Sequence, residues 1–392
     1  MKGFVRNRGG SRQPNGSYRG GTWTAYWEDD QSSDGQRHQG SKGGFSTKRA
    51  AQEHLSNVLG AKRTGAYVPP AKTTFRRYLT ESWLPMQQSR LRPSTVDDYR
   101  RKIERHVLPE LGGIGLQELD VAGLDRLYAD LLDHGGPGAR PLAPKTVRNI
   151  HVIISKALRD ATRKRLVSRN VALDADPPSV PGPGEREMAT WAPDELKVFL
   201  RAITPHRLGA AYILAASTGM RRGEVLGVRW SDLDLDRRTV AVRHTIVNIA
   251  YKVSVSEPKT ARGRRTITLD PSTVAVLRRH HLHQLTEKAA AGADYGDGDL
   301  VFASPTGEAI HPDLFSQTFE RTVKRLGLRR VRLHDLRHIY ATLALRAGVD
   351  AKTVSMRLGH STVAFTLDVY TKAVPQLDQE AADKIAGLIF DN

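Results

Sequence analysis

No cysteine occurs among the 392 residues, which excludes disulfides, thiolate metal sites and cysteine nucleophiles and suits a reducing cytoplasm. No uninterrupted apolar run approaches the roughly 18 residues that span a bilayer. The basic start Met1–Arg8 is not followed by the apolar core of a secretory signal. A soluble cytoplasmic protein without a membrane partner is therefore expected, and no internal repeat is found. Acidic residues are in deficit, with 42 Asp and Glu against 60 Lys and Arg, for a formal net charge of +18. Such a surplus points to a polyanion, nucleic acid being the commonest, although a solvated basic surface or a ribosome-associated protein would share it. The length exceeds what one core usually encloses, so two or three domains are expected.

Residues 1–16, rich in Gly, Arg, Asn and Ser, read as mobile. Trp23-Thr24-Ala25-Tyr26-Trp27 is β-prone, and alternation puts Trp23, Ala25 and Trp27 on one side. A polar loop from Asp29 to about Gln36 and a second strand from Arg37 to Phe45 follow. Ser46-Thr47 then caps a helix through Ala51, Leu55 and Val58. The expectation is a small module of three strands and one helix, with Arg19, Arg37, Lys42, Lys48 and Arg49 able to meet a DNA groove or merely to solvate a tiny core. Gly60 to Lys72 reads as a linker.

Four helical patterns come next: from Thr73 or Thr74 through Trp83, from Pro93 (ahead of the cap) through Val107, from the cap Asp120 to Gly135, and from Pro144 through Leu158. The last shows Lys145, Arg148, Lys156 and Arg159 on a basic face that either tracks a phosphate backbone or is simply solvated. A Pro/Gly stretch, Asp176 to Gly184, separates this region from a mostly helical remainder. There, β-prone runs around Val240, Ile246, Val255 and Ile267, broken at Glu257–Gly263, suggest one small antiparallel sheet with an exposed basic turn. Helices are expected at about 271–290, 313–326 and 334–347, again after Asp350, and in the tail from Gln376 to Phe390.

The chemistry-bearing stretch is Leu333-His334-Asp335-Leu336-Arg337-His338, with Leu358-Gly359-His360 and then Tyr370. Residues three apart share a helix face, so His334 and Arg337 can address one target. A guanidinium fork fits two phosphate oxygens, an imidazole moves a proton, and a tyrosine beside a base and positive charge is an acceptable nucleophile. Arginine, histidine and tyrosine together suggest phosphoryl transfer to a protein hydroxyl. His334 and His338, four apart, could also hold zinc. Yet the glutamate of H-E-x-x-H is missing, and Arg337 between the pair would repel a cation. Upstream, Thr218-Gly219-Met220-Arg221-Arg222-Gly223-Glu224 supplies a second arginine.

The order T-G-x-R-x-x-E, a lysine in a hairpin, H-x-x-R, then L-G-H and a tyrosine resembles the tyrosine recombinases, the integrases of phages and integrative elements. The motifs span about 187–375. The resemblance implies a multidomain, mainly helical protein with small β-sheets: an arm-type DNA-binding module (1–60, three-stranded sheet plus helix), a helical SAM-like core-binding domain (73–172), a linker (173–186) and a mixed α+β catalytic domain with a tail helix (187–392). It implies that Tyr370 attacks DNA to give a 3′-phosphotyrosine. Arg221, Arg337 and His360 would then hold the phosphate, His334 would assist deprotonation, and Glu224 would orient an arginine.

Lys259, in the hairpin turn, would protonate the departing 5′ oxygen. Arg262, Arg264 and Arg265 are poor acids, and Lys252 is less well placed. Tyr340 is the nearest rival nucleophile but should pack inward, and Arg222 should be a surface or DNA-backbone residue. No cofactor is expected. Partners implied are double-stranded DNA at attachment and arm sites, a homotetramer on that DNA with the tail docked on a neighbour, a DNA-bending protein and an excision directionality factor. A chromosome-dimer resolvase, a type IB topoisomerase-like enzyme and an inactive DNA-binding regulator are the alternatives.

Overall fold

In a computed structural model the chain divides into two compact units, Met1–Val180 and Pro181–Asn392. The structure describes residues 3–14, 16–28, 39–64, 67–180, 190–257, 263–359 and 362, with Ala386, Ile389 and Phe390. Arg37, Lys259, His360, Tyr370, the 29–36 loop and most of the tail lie outside the described residues.

The extreme N-terminus builds strands, contrary to its compositional reading. β1 (Gly3–Arg8) pairs antiparallel with the central β4 (Thr22–Glu28), which pairs with β5 (Gln39–Phe45); β2 (Ser11–Arg12) and β3 (Tyr18–Arg19) form a short separate ladder. Glycine and arginine content hides a period of two: Val5 packs against the core while Phe4, Arg6 and Arg8 are exposed on the other side. The core itself is Ala25 and Trp27 against Leu55 and Val58 of α1 (Lys48–Arg63). α1 begins where expected because Thr47 Oγ1 accepts from the Ala50 amide at 3.1 Å.

In the helical region, α2 (Phe75–Arg77) runs through a π-helical stretch, Tyr78–Trp83, into α3 (Leu84–Gln88). Likewise α4 (Pro93–Lys102) runs through Ile103–Val107 into α5 (Leu108–Leu111). Each π run ends two residues before a proline, Pro85 or Pro109, whose ring and missing amide disturb the regular ladder. Pro93 is itself the first helical residue, with Arg92 as N-cap, because an amide at that position would be unpaired anyway.

α6 (Val121–His134) is capped by Asp120, which accepts from Gly123 at 2.8 Å, and it ends at Gly135. α7 (Pro144–Arg163) buries Val147, Ile150, Ile154 and Leu158. The buried carboxylate Asp160 accepts from Trp83 Nε1 (3.0 Å) and Gln87 Nε2 (3.3 Å) and meets Arg163 at 2.8 Å.

The second unit packs α8 (Pro193–Ile203), α9 (Gly209–Thr218), α10 (Arg222–Leu226), α11 (Pro271–Ala291), α12 (Pro312–Arg325), α13 (Asp335–Arg346) and α14 (Ala351–Leu358). Its aromatic centre stacks Tyr212 on Phe315 at 4.2 Å, with Phe199, Phe319 and Trp191 around them.

The expected single sheet is two. β6 (Leu233–Asp234), β7 (Thr239–Val242) and β10 (Arg265–Thr268) form one in the order β10-β7-β6, while β8 (Thr245–Ile249) and β9 (Lys252–Ser256) pair separately. The tight turn joins β8 to β9 at Ala250 and Tyr251, both with positive φ (49 and 63), as a type I′ turn requires. Lys259 therefore belongs to the connection between β9 and β10, which pair with different strands, and not to the hairpin's tip. Among the described residues no helix is long and apolar enough to cross a membrane.

Candidate active site

α9 is mostly apolar up to Ser217 and Thr218 and is capped by Gly219, whose φ of 67 is left-handed. An added Cβ there would lie 2.5 Å from Leu358 Cδ2 and 2.7 Å from Tyr340 Cδ1. Glycine is thus required both by conformation and by the close approach of α13 and α14. The turn delivers Arg221 as N-cap of α10. Glu224, one turn on and 3% exposed, accepts from the Arg221 amide at 2.9 Å and from its Nη1 at 2.7 Å. Arg221 Nη2 donates to the Gly359 carbonyl at 3.2 Å.

Arg337, buried near the start of α13, donates from Nη1 to Gly219 O (2.9 Å) and from Nη2 to Leu358 O (2.7 Å). The two arginines therefore meet consecutive carbonyls at the end of α14, which is capped by Gly359 in the left-handed region and leads directly into His360.

His334 is the N-cap of α13, held beside the Arg332–Asp335 ion pair (3.0 Å). It keeps an exposed edge. Packing around its ring, followed by the charge of Arg337, lowers its pKa below the ordinary value. His338 stands edge-on to it at 5.2 Å, and burial, then the neighbouring His334 and Arg337, push it down to about 4. At neutral pH His334 is an uncharged proton acceptor beside two fixed cations, the arrangement a general base needs.

Tyr340 accepts at its Oη from Arg357 Nε at 2.6 Å and packs against Gly219; its phenol is engaged in structure. Arg222, read from the sequence as a surface or DNA-backbone residue, is partly exposed and also engaged: Nη1 donates to Ser316 Oγ (2.8 Å), Pro312 O (3.2 Å) and Asp313 Oδ1 (3.3 Å), tying α10 to α12.

Sequence reasoning set Arg265 aside as a poor acid. The structure buries it at the start of β10, donating to both Glu224 oxygens (Nη2–Oε2 2.9 Å, Nη1–Oε1 3.3 Å). Burial raises the Glu224 carboxyl, but the hydrogen bond and charge of Arg265, with the charge of Arg221, outweigh it and hold it below the usual carboxylate range. No local signal could have found this pair, since 41 residues separate its members.

The basic residues of the N-terminal module are not gathered on one face. Lys48 lies over the Trp23 ring at 5.8 Å, Arg49 pairs with Glu53 at 3.0 Å, and Lys42 lies opposite the core residue Ala25, while exposed Arg19 sits on the β2–β3 ladder. The outer sheet face instead carries Arg6 and Arg8, opposite Thr24 and Thr22, which the sequence reading missed although Phe4-Val5-Arg6-Asn7-Arg8 alternates. On α7, Lys145, Arg148, Lys156 and Arg159 recur at helical spacing around exposed Val152. There, Lys156 leans over Tyr99 at 5.2 Å and Arg148 Nη1 donates to Pro178 O at 3.2 Å.

The phage integrase family matches residues 192–376, its N-terminal SAM-like domain matches 74–132, and an arm DNA-binding domain matches 17–61. A XerC-like tyrosine recombinase of Caldanaerobacter subterraneus is 27% identical over 88% of this chain and 90% of that protein. The integrase of Mycobacterium phage D29 is 26% identical over 91% of each. In fold, the chain is similar to the Tn1549 transposon integrase in complex with transposon right end DNA (TM-score 0.62, 20% identity, 80% of this chain and 100% of that one). It is also similar to a lambda integrase tetramer bound to a Holliday junction (TM-score 0.55, 18% identity, 88% and 92%). Three matched domains in sequence, and two arginines converging where the motifs place them, lead to one conclusion: the chain belongs to the phage integrase family, the tyrosine recombinases.

Proposed function

We propose that this tyrosine recombinase integrates and excises a mobile element, cutting and rejoining two DNA duplexes with Tyr370 as nucleophile. The phenol oxygen attacks the scissile phosphorus and its proton passes to His334. The P–O5′ bond breaks, and Lys259 protonates the departing 5′ oxygen. Arg221, Arg337 and His360 hold the non-bridging oxygens, where transition-state charge needs fixed donors. The resulting 3′-phosphotyrosine conserves the bond, so rejoining requires neither ATP nor a metal ion. The observation that carries this reading is the convergence of Arg221 and Arg337 on the carbonyls of Leu358 and Gly359, immediately before His360.

Double-stranded DNA would meet the basic stripe of α7 and, at accessory arm sites, the outer face of the β1-β4-β5 sheet. Assembly on DNA would be tetrameric, like the lambda integrase bound to a Holliday junction. A DNA-bending protein and an excision directionality factor would be its accessory partners. The test is covalent trapping: wild type, Tyr370→Phe and Tyr340→Phe are incubated with nicked fragments from element and host without divalent metal, quenched in detergent and mapped. An adduct lost only in Tyr370→Phe supports the assignment. Loss only in Tyr340→Phe, or no adduct despite intact binding, overturns it.

A further inference from the structure

The carbonyls at the end of α14 find their partners one by one, three of them in arginines from three separate segments. A helix leaves its last carbonyls without partners of its own. Here the Gly359 amide closes on the Met356 and Ser355 carbonyls. The Arg357 carbonyl accepts from Arg265 Nε at 2.6 Å, the Leu358 carbonyl from Arg337 Nη2 at 2.7 Å, and the Gly359 carbonyl from Arg221 Nη2 at 3.2 Å. Positive charge suits this end of a helix, where the backbone dipole is negative. Arg221 and Arg337 belong to the motifs. Arg265 does not, and the proposed chemistry gives it no role.

The Arg265 side chain is 8% exposed and stands on β10, whose four residues all pair with β7. Its Nη2 and Nη1 donate to the two oxygens of Glu224, at 2.9 and 3.3 Å. Glu224 is the carboxylate that accepts from the Arg221 amide and from Arg221 Nη1. The tie to α14 is doubled, because Arg357 Nη2 donates to the Thr268 carbonyl at the other end of β10, at 3.1 Å. One planar fork therefore reaches both the carboxylate that holds Arg221 and the helix end that meets Arg221 and Arg337. A lysine ammonium is a single point and cannot meet Glu224 and the Arg357 carbonyl together.

We propose that Arg265 is a positioning residue for the phosphate grip: by fastening Glu224 and the end of α14 to β10, it fixes where the Arg221 guanidinium points. The inference rests on the reading of Arg221 as a ligand of the scissile phosphate. Arg265 itself touches no reacting atom. Without it, the buried Glu224 has Arg221 as its one remaining cation, closes on it, and draws the guanidinium off the phosphate.

The experiment uses full-length protein and single-turnover cleavage of a nicked duplex. One substrate carries the natural scissile phosphate; the others carry either diastereomer of a methylphosphonate there. The methyl group replaces a charged non-bridging oxygen, so a cation facing that position has no charge left to stabilise. On the phosphate, Arg221→Ala should lose about 10²–10³-fold, the scale for removing one such donor. It should recover on one diastereomer. Arg265→Gln should lose about 10²-fold on the phosphate, the scale of a 1 Å misplacement, and should recover on that same diastereomer. Dividing the phosphonate rate by the phosphate rate cancels the folded fraction, so a purely structural defect leaves this ratio at the wild-type value.

Arg265→Lys keeps the buried charge but not the fork; it should be slow and should recover likewise, and it carries the comparison if the Gln variant does not fold. Recovery of Arg221→Ala with a wild-type ratio in the Arg265 variants overturns the inference, as do Arg265 variants that cleave the phosphate at the full rate. Failure of Arg221→Ala to recover on either diastereomer overturns the reading of Arg221 as a phosphate ligand, and this inference with it.

Discussion

Gly219→Ala is the sharpest test of how Arg221 and Arg337, the arginines proposed to hold the phosphate, are positioned. At φ 67 an alanine incurs the left-handed penalty, about 1–2 kcal/mol. Its methyl would also stand 2.5 Å from Leu358 Cδ2 and 2.7 Å from Tyr340 Cδ1. Neither neighbour yields freely: Leu358 is fully buried, and the Tyr340 hydroxyl is fastened by Arg357 at 2.6 Å. Overpacking of this kind adds about 1–3 kcal/mol, giving about 2–5 kcal/mol in all. For a unit of this size that lowers the melting midpoint by about 4–20 °C.

Gly348→Ala is the internal control, since its φ is 78 and nothing lies within 4 Å of an added Cβ. It should show only the conformational penalty of about 1–2 kcal/mol. Calorimetry of both variants, with hydrogen exchange following the amides of α9 and α13, gives the difference directly. Gly219 O also accepts from Arg337 at 2.9 Å, so Gly219→Ala should impair cleavage more than DNA binding, and Gly348→Ala should impair neither. A Gly219→Ala protein no less stable than Gly348→Ala, with full cleavage, refutes the reasoning.

Two further outcomes follow from the same geometry. His338 has a folded pKa of about 4 against an ordinary value near 6.5, so the unfolded chain takes up a proton that the folded one refuses. Stability should fall as pH drops from about 6.5 towards 4, and His338→Gln should flatten that part of a denaturation-versus-pH curve; an unchanged slope counts against the assignment. Arg6→Ala with Arg8→Ala should weaken anisotropy-measured binding to arm-type duplexes and reduce the salt slope, by about 0.9 for each phosphate no longer neutralised, leaving core-site cleavage intact. Arg49→Ala, its charge paired with Glu53 in the open, should be silent, and an equal effect there would remove the sheet face as the interface.

Local rules made much of the chain legible. Asp120, Thr47 and Asp350 cap helices with their own side chains, and apolar spacing marked α7 and α12, because hydrogen bonds and periodicity within a few residues settle such elements. The same locality explains the misses. Composition concealed the alternation of β1, whose partner β4 lies beyond the β2–β3 ladder, and the two-sheet arrangement around β8 and β9 depends on pairings that no single run declares.

Sequence by itself determined the helical elements, the basic character and the ordered motifs that mark a tyrosine recombinase, since residue identity and spacing are enough for each. Tertiary structure alone decided that Arg222 anchors α12 and that Tyr340 is held by Arg357. It alone joined Glu224 to Arg265 and brought Arg221 and Arg337 to adjacent carbonyls from positions more than a hundred residues apart in one case. A side chain's role depends on which donors and acceptors reach it, and for buried guanidiniums those partners come from segments that only packing brings together.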